Sequence, residues 1–253
     1  MTRRPKKAIV RKPPPTYRDC ISDHPERKNV DWQIAIAQHA AYCQTLIDLG
    51  LDLYQLPQLD EHPDSCFVED TAIVYQNKAL ITRLARATRR GEEKEVADIL
   101  QESFETKYVK EPATIEGGDV IHLSNHLIVG RTQRTDNRGI SYLSDWFDVD
   151  VTIIDSPKVI HLKSHVTALS DDLLITTKEF SEHPAFDEFD IILVPDDEKY
   201  AANTLVIGRT VLMPKGYEKT TRLIQDLGFS IILLDTSEFE KCEGALTCLS
   251  IIY

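Results

Sequence analysis

The sequence lacks three features that would each point to a particular class of protein. It has no run of about 18 consecutive apolar residues, so we expect no membrane-spanning helix and no membrane partner. Its basic amino-terminal stretch lacks the apolar segment of a secretory signal, so we expect a cytoplasmic protein. An excess of basic residues is missing too, because 29 Lys and Arg stand against 41 Asp and Glu, a net charge of −12. Nucleic-acid binding needs a positive face, so a nucleic-acid partner is not expected.

Cysteine pairs at short spacing are also missing. The five cysteines are an odd number and include no CxxC pair, so neither a disulfide framework nor a zinc-finger spacing is indicated. In a reducing cytoplasm all five are expected to be free thiols. Most buried cysteines are small apolar core residues. A functional role for Cys248, in the apolar segment that ends the chain, therefore needs further evidence.

What the sequence does contain is a repeat. Four times, two short apolar runs flank two or three polar turn residues, a pattern typical of β-hairpins. These hairpins are predicted at 71–82, 119–130, 165–177 and 203–214. Helical periodicity, followed each time by a further apolar run, is found at 29–50, 91–104, 137–147 and 217–228. The repeating unit is therefore hairpin, helix, strand, and its spacing indicates a repeat architecture.

Two apolar runs remain without a partner, "KAIVRKP" near the start and "ALTCLSIIY" at the end. Pairing them gives a fifth hairpin, and the two ends of the chain then close a ring of five units. Closure removes exposed sheet edges, which would otherwise be open to pairing with other chains. The predicted architecture is a closed ring of five α/β units, with Cys248 on the strand that closes it.

In such a ring, residues at equivalent places in different repeats meet near the axis. The candidates, taken repeat by repeat, are Asp64, Glu69 and Asp70, then Glu116 and Asp119, then His161 and His165, and finally Cys248. Each alone is more often a turn or boundary residue, and "EGGD" reads as a tight turn whose glycines supply positive φ. Together, a thiol, an imidazole and several carboxylates indicate a cysteine nucleophile with a cationic substrate.

Five segments carry a resemblance to a known family. They occur in the order "PDSCFVEDTAIV", "TIEGGDVI", "RTQRTDNRG", "HLKS" and "EGALTCLS". With them the chain resembles the dimethylarginine dimethylaminohydrolase family of guanidino-group-modifying enzymes, from about residue 8 to the end. The resemblance implies a five-bladed pseudo-symmetric α/β propeller closed by pairing of the N- and C-terminal strands. It also implies a single catalytic domain over residues 1–253.

The resemblance implies roles for ten residues. Cys248 matches the nucleophile, His161 matches the general acid/base, and Glu116 matches the carboxylate that orients this histidine. The residues that match substrate contacts are Asp64, Glu69 and Asp70 for the guanidinium and neighbouring polar groups, Arg89 and Arg134 for the α-carboxylate, Ile21 in an apolar lid loop, and Cys242 through its backbone carbonyl.

Two features set this chain apart from that pattern, and Arg89, which matches it, has a second interpretation. The lid loop "KPPPTYRDCISDH" is richer in proline and charge than the resemblance leads us to expect. His165 stands where glycine or an apolar residue is expected, and a second imidazole near His161 would alter its pKa. Arg89 lies in the charged run "RLARATRRGEEKE", which is typical of a solvated segment.

The reaction that the resemblance implies is hydrolysis of the guanidinium C–N bond of dimethylarginine or monomethylarginine. The products are citrulline and a methylamine, formed through a covalent thiouronium on Cys248. No metal and no organic cofactor is expected, the partner is a small cationic amino-acid substrate, and a homodimer is among the expected assemblies. Three alternatives stay open: a related deiminase acting on arginine or another guanidino compound, a non-catalytic ligand-binding propeller, and metal-dependent hydrolysis.

Overall fold

The computed structural model describes residues 6–253. The strands of this region are β1 (Lys7–Arg11), β2 (Asp52–Leu56), β3 (Ala72–Tyr75), β4 (Lys78–Ile81), β5 (Glu105–Tyr108), β6 (Val120–His122), β7 (His126–Arg131), β8 (Asp150–Asp155), β9 (Val166–Ala168), β10 (Leu173–Thr176), β11 (Asp190–Leu193), β12 (Leu205–Ile207), β13 (Thr210–Pro214), β14 (Ser230–Leu234) and β15 (Ser250–Ile252). Its α-helices are α1 (Trp32–Asp48), α2 (Lys94–Gln101), α3 (Asn137–Phe147), α4 (Glu218–Asp226) and α5 (Ser237–Glu240).

The described strands form five three-stranded sheets with one plan. In each sheet the middle strand pairs antiparallel with one neighbour, its hairpin partner, and parallel with the other. The sheets are β15–β1–β2, β3–β4–β5, β6–β7–β8, β9–β10–β11 and β12–β13–β14. Each sheet is one blade, so the predicted unit of a hairpin and a further strand is present in all five.

The two ends of the chain close the ring. Strand β1 pairs antiparallel with β15, with Ala8 opposite Ile252 and Val10 opposite Ser250. Strand β2 pairs parallel with β1 on its other side. The predicted fold, a five-bladed pseudo-symmetric α/β propeller closed by its terminal strands, is therefore confirmed. Because β15 begins two residues after Cys248, ring closure also fixes the segment that carries this cysteine.

The apolar core lies between neighbouring blades. One cluster joins Ile73 and Leu80 of the β3–β4 hairpin to Val129 of the next blade. Another joins Ile9 of the closing blade to Ile81. Each blade thus buries its apolar surface against its neighbour, as expected for repeats that cannot bury a hydrophobic face alone.

The helices begin and end where local chemistry dictates. The side chain of Asp31 caps α1 by accepting hydrogen bonds from the amides of Gln33 and Ile34. Gly50, at φ +88°, reverses the chain just beyond the helix end. The helix is therefore shorter than the predicted range 29–50. Within residues 6–253, no helix combines the length and the apolarity that crossing a membrane requires.

The third unit departs from the repeat. Between β10 and β11 the chain forms the short 3₁₀ helix Pro184–Phe186 instead of a longer α-helix. Pro184 stands at its first position, where the missing N–H is not needed. Strand β11 then follows and completes the blade, although the apolar pattern did not predict this strand.

The prediction of five free thiols is wrong for two of them. Cys20 and Cys242 form a disulfide with a Cα–Cα distance of 5.9 Å, whereas Cys43, Cys66 and Cys248 are free. The two bonded residues are 222 positions apart. Rules based on short spacing could not find this pair, because only closure of the ring brings the two loops together.

Candidate active site

Four short 3₁₀ turns, each directly before the first strand of a hairpin, position the candidate catalytic residues. The turns are Val68–Thr71, Gly117–Asp119, Leu162–Ser164 and Thr247–Leu249. Asp70 and Cys248 lie within their turns, whereas Glu116 and His161 immediately precede theirs. The first turn contacts both the second and the fourth, and the second contacts the third. Equivalent positions in sequence thus become neighbours at the ring centre.

Eight of the ten predicted site residues line one small cavity of about 40 Å³. They are Ile21, Asp64, Asp70, Arg89, Arg134, His161, Cys242 and Cys248. A single water needs about 10–15 Å³, so this cavity has room for roughly three waters. Ligand pockets are several times larger. The cavity must therefore widen before an amino acid can enter.

His161 is held by carboxylates. Its Nε2 lies 2.7 Å from Oε2 of Glu116, which is fully buried, and 3.5 Å from Oδ1 of Asp70. Burial opposes the charged imidazolium, but Asp70, Glu116 and Asp119 together raise the pKa of His161 to about 9. The histidine is therefore an imidazolium at neutral pH, with a proton to give to a leaving group.

Cys248 is a thiol in the free site. Burial, reinforced by the carboxylates of Glu69 and Asp70, raises the pKa of Cys248 to about 12. The thiolate is the reactive form of cysteine, so the free site is poorly nucleophilic. A guanidinium cation placed beside the sulfur would favour the thiolate through its charge.

Arg89 is buried and already engaged. Its Nε and Nη2 bind the carboxylate of Glu92, and its Nη1 lies 2.8 Å from Oδ2 of Asp70. Nη2 also donates to the carbonyl of Phe67. Four of the five N–H donors of the guanidinium thus have protein partners. The expectation that Arg89 lies in a solvated segment is wrong, since this side chain faces the cavity and only 7% of it is exposed.

Arg134 differs from Arg89 in having no ion-pair partner among the described residues. It is also largely buried, yet its Nε has no hydrogen-bond partner in the described chain. No carboxylate of residues 6–253 forms an ion pair with its guanidinium. A buried cation without a partner is costly. Arg134 is therefore the side chain of this wall that is best prepared to receive an anion.

The lid loop is fixed at two places. The backbone amide of Ile21 donates to both carboxylate oxygens of Asp64, at 3.1 and 3.3 Å. The preceding residue, Cys20, is bonded to Cys242, so two loops on the cavity wall are joined covalently. Burial raises the pKa of Asp64 despite the nearby charge of Arg89.

Glu69 is not among the residues that line this cavity. Its Oε1 accepts a 2.6 Å hydrogen bond from Nζ of Lys163, and its Oε2 accepts one from the hydroxyl of Thr247. Both partners are buried. The contact with substrate polar groups therefore stays a prediction, while the structure shows Glu69 joining the His161 turn to the Cys248 turn.

The glycines of "EGGD" are required for close approach. Neither has positive φ, so the expected reason for them is wrong. A Cβ on Gly117 would meet the carbonyl oxygen of Glu69 at 2.0 Å. A Cβ on Gly118 would meet the His161 ring at 2.8 Å and the Asp70 carboxylate at 2.9 Å. The absence of side chains lets the second turn come this close to the first and the third.

Comparison with known proteins shows the family. The chain is 37% identical to N(G),N(G)-dimethylarginine dimethylaminohydrolase of Streptomyces coelicolor, over 97% of this chain and 96% of the relative. It is 33% identical to the protein of the same name from Pseudomonas aeruginosa, over 87% of this chain and 89% of that one. The chain belongs to the dimethylarginine dimethylaminohydrolase family. In addition, residues 57–202 match the family model described as arginine deiminase.

Solved structures agree with the dimethylarginine dimethylaminohydrolase family. The P. aeruginosa enzyme, as a cysteine-to-serine mutant complexed with citrulline, superposes with a TM-score of 0.96 at 31% identity, covering 99% of this chain and 100% of that one. The N-terminal domain of ArgZ, a cyanobacterial arginine dihydrolase, superposes with a TM-score of 0.88 at 18% identity, covering 97% of this chain and 96% of that one. At that identity the second likeness shows the fold alone.

His165, which departs from the pattern expected of the dimethylarginine dimethylaminohydrolase family, has its own partners. Its Nδ1 lies 3.3 Å from the hydroxyl of Thr177, and its ring packs on Phe180. Burial lowers the pKa of His165. It does not line the cavity, and the main causes of the raised pKa of His161 are the carboxylates described above. An effect of His165 on His161 stays a prediction.

Three groups could hold a metal ion. Ligand atoms of Asp70, Glu116 and His161 lie within 4.8 Å of one another. The same atoms already form the ion pairs that keep His161 protonated, so their arrangement is accounted for by proton chemistry. A metal would compete with the proton of His161, because a ligating imidazole must be neutral.

Sequence reasoning missed two ionic partners. Glu92, which binds Arg89, and Lys163, which binds Glu69, were not among the candidates. Glu92 lies in a charged run typical of a solvated surface, so nothing in the pattern distinguished it. Lys163 stands inside the "HLKS" motif, and its proximity to His161 was an available signal.

Proposed function

We propose that the protein hydrolyses Nω-methylated arginine to citrulline and a methylamine. In this proposal residues 1–253 act as one catalytic domain on a small cationic amino acid, and a homodimer stays a prediction. A cytoplasmic location also stays a prediction from the sequence. The Cys20–Cys242 disulfide argues against a strongly reducing compartment.

One observation carries the proposal. The free thiol of Cys248 shares a single cavity with His161, which is protonated against Glu116, and with the carboxylate of Asp70. A nucleophile, a proton donor and an anion for a cationic substrate are thus in one place. The relatives support the same chemistry, because a P. aeruginosa family member was solved with citrulline. Another family structure was solved as an adduct with S-methyl-L-thiocitrulline.

Substrate recognition follows from the charges on the cavity wall. The carboxylates of Asp64 and Asp70 face the cavity and suit the guanidinium through bidentate hydrogen bonds. Arg134, which has no side-chain partner in the described chain, suits the α-carboxylate. Arg89 supports this arrangement mainly by holding Asp70. We therefore assign the α-carboxylate chiefly to Arg134.

The first half of the reaction breaks the C–N bond. The bound guanidinium favours ionisation of Cys248, whose proton passes to solvent water, and the thiolate sulfur then attacks the guanidinium carbon. His161 gives its proton to the departing methylamine as the C–N bond breaks. The carbon stays bonded to sulfur as a thiouronium, and His161 is left neutral against Glu116.

The second half releases the product. Neutral His161 takes a proton from a water molecule, which attacks the thiouronium carbon. The carbon–sulfur bond then breaks and its electron pair returns to Cys248 as the thiolate. The attacking oxygen loses its remaining proton to solvent, so neutral citrulline leaves and His161 is again protonated. Dividing the barrier over a covalent intermediate is useful, because water alone attacks a resonance-stabilised guanidinium slowly.

A second candidate is a related hydrolase that acts on arginine or another guanidino compound. The match to the arginine deiminase family model favours it. The two candidates share the nucleophile and the acid, and differ only in the nitrogen substituents that the pocket accepts. A methyl group is worth only about 1 kcal/mol in a pocket, so substrates must be compared directly.

The deciding experiment measures the ureido product from asymmetric dimethylarginine, monomethylarginine, arginine and agmatine in parallel. We expect turnover of the methylated arginines, and a loss of at least about 1,000-fold in Cys248→Ser. Cys43→Ser is the matched control, because Cys43 is a free thiol on α1, outside the cavity. This variant should retain the activity of the unmodified protein.

Each other outcome has a definite meaning. A preference for arginine or agmatine would support the second candidate function, with the same reaction mechanism. If Cys248→Ser keeps its activity, Cys248 is not the nucleophile. A folded protein that acts on none of the four compounds would refute the proposal.

A further inference from the structure

The fourth unit supplies no residue to the predicted site, yet it holds a buried polar side chain at an equivalent place. Asn203 lies just before β12 and is only 2% exposed. It corresponds in position to Asp70 and Asp119, which precede the first strands of their own hairpins. A buried amide at this place needs hydrogen-bond partners, and those partners show what it does.

Asn203 contacts the two turns that flank the reacting residues. Its Oδ1 accepts a 3.1 Å hydrogen bond from the backbone amide of Thr247, the residue before Cys248. Its Nδ2 donates to the hydroxyl of Thr247 and to the carbonyl of Lys163, both at 3.0 Å. One side chain thus joins the turn that carries Cys248 to the turn that follows His161.

The same kind of contact recurs around the ring. Oδ1 of Asp70 accepts from the amide of Gly118, and Oδ1 of Asp119 accepts a 2.8 Å bond from the amide of Leu162. In both cases a side chain at the end of one turn holds a backbone amide in the turn of the following unit. Asn203 does this for Thr247 and, unlike a carboxylate, also donates to a carbonyl.

We propose that Asn203 is a positioning residue that sets the separation between Cys248 and His161. The inference rests on the proposed function, since it assigns a part in that reaction. The turn around Cys248 has only short internal hydrogen bonds of its own, from Cys248 to Ala245 and from Leu249 to Leu246. These bonds define the shape of the turn. Its place relative to His161 is set by Asn203 and by Glu69, and of the two only Asn203 holds backbone groups of both turns.

The test compares Asn203→Ala, Asn203→Asp and a matched control in steady-state kinetics and thermal unfolding. We expect Asn203→Ala to lower kcat by about 10- to 100-fold with little change in KM, because a small misplacement of reacting groups costs this much. Asn203→Asp keeps the acceptor for Thr247 but cannot donate to the carbonyl of Lys163. It should therefore fail to restore kcat.

The control is Thr167→Val. The hydroxyl of Thr167 is buried, donates to the carbonyl of Ala202 and accepts from the amide of Thr204. It therefore anchors the same unit without touching either reacting turn. This variant should lose stability like Asn203→Ala and keep its kcat. An equal loss of kcat in Thr167→Val, or a kcat within about twofold of wild type in Asn203→Ala, would overturn the inference.

A second readout separates this inference from the proposed function. Alkylation of Cys248 by iodoacetamide, followed by peptide mass spectrometry from pH 6 to 10, needs no turnover. We expect a displaced rate profile in Asn203→Ala, because the thiol moves relative to the charges of His161 and Glu69. If the wild-type protein acts on no guanidino compound, the proposed function fails and this profile still decides the role of Asn203. Identical profiles in wild type and variant would then refute it.

Discussion

Two arginines of the cavity wall look alike in sequence and differ in their surroundings. Arg89 is ion-paired with Asp70 and Glu92, whereas the buried Nε of Arg134 has no partner in the described chain. Removing a side chain from a buried ion pair leaves the other charge uncompensated and is strongly destabilising. Removing a buried charge that has no partner carries no such cost. The two positions should therefore respond to mutation in opposite ways.

Arg134→Gln should raise KM for methylated arginine by about 10- to 100-fold, because a charged hydrogen bond to the α-carboxylate is lost. It should leave the turnover of an N-methylated agmatine, which has no carboxylate, nearly unchanged. Arg138→Gln, an exposed site four residues later, is the control. The measurement is KM for both compounds in all three proteins. An equal rise in KM for both compounds would mean that Arg134 does not bind the α-carboxylate.

The reacting residues Cys248, His161 and Glu116 could be predicted from the sequence, because each has a suitable side chain at an equivalent position of its repeat. Glu92 and Asn203 could not be predicted. Glu92 lies in a run of charged residues, so nothing in the sequence marks it as buried. It is buried because it pairs with Arg89, whose side chain is also buried. Asn203 did leave a signal, since it stands where the first two repeats have aspartate. An amide is a poor candidate for acid–base catalysis, so chemistry alone does not distinguish this residue.

At the scale of elements, short apolar runs on either side of polar turn residues were enough to find four hairpins, and pairing the two remaining runs gave the fifth. This pattern did not find the 3₁₀ turns that carry the site, because these are set by contacts between units. Gly117 and Gly118 show this, since their small size matters only once the neighbouring turns are in place. The helix and the last strand of the third unit were not predicted, for a related reason. Its short helix at Pro184–Phe186 has no apolar period to detect.

The Cys20–Cys242 disulfide joins the lid loop to the loop that follows α5, where Glu243 and Gly244 also line the cavity. Denatured protein prepared without reductant should therefore show three reactive thiols, and five after reduction. Cys242→Ser should lower the free energy of unfolding by about 2–4 kcal/mol, because the bond closes a long loop. Thiol counting and urea unfolding measure the two effects.

Cys43→Ser serves as the matched control for Cys242→Ser, since Cys43 is free and partly buried. It should reduce the thiol count by one without the stability loss. Five reactive thiols in the unreduced protein would show that the bond does not form. Because the bond joins two loops that line the cavity, substrate KM should also differ between reduced and oxidised protein.

At the scale of the whole molecule, the five blades meet around a buried cluster of charges. The buried carboxylates are Asp64, Glu69, Asp70, Glu92, Glu116 and Asp119, and the facing cations are Arg89, Arg134, Lys163 and His161. Anions outnumber cations even when His161 is protonated. A cationic ligand bound there would reduce this imbalance and stabilise the folded ring by mass action.

Stability should consequently fall as pH rises from about 6.5 to 9. The carboxylates around His161 raise its pKa from 6.5 to about 9, so the folded ring binds this proton more tightly than the unfolded chain. The resulting stabilisation is complete below about pH 6.5 and is lost as pH passes 9. His39 and His122 titrate far below this window, because burial lowers their pKa values to about 4 and about 3. Thermal unfolding across pH 6 to 8 measures the slope, below the range in which the raised pKa values of the buried thiols also reduce stability, and His161→Gln should flatten it. A slope that survives in this variant would place the titrating group elsewhere.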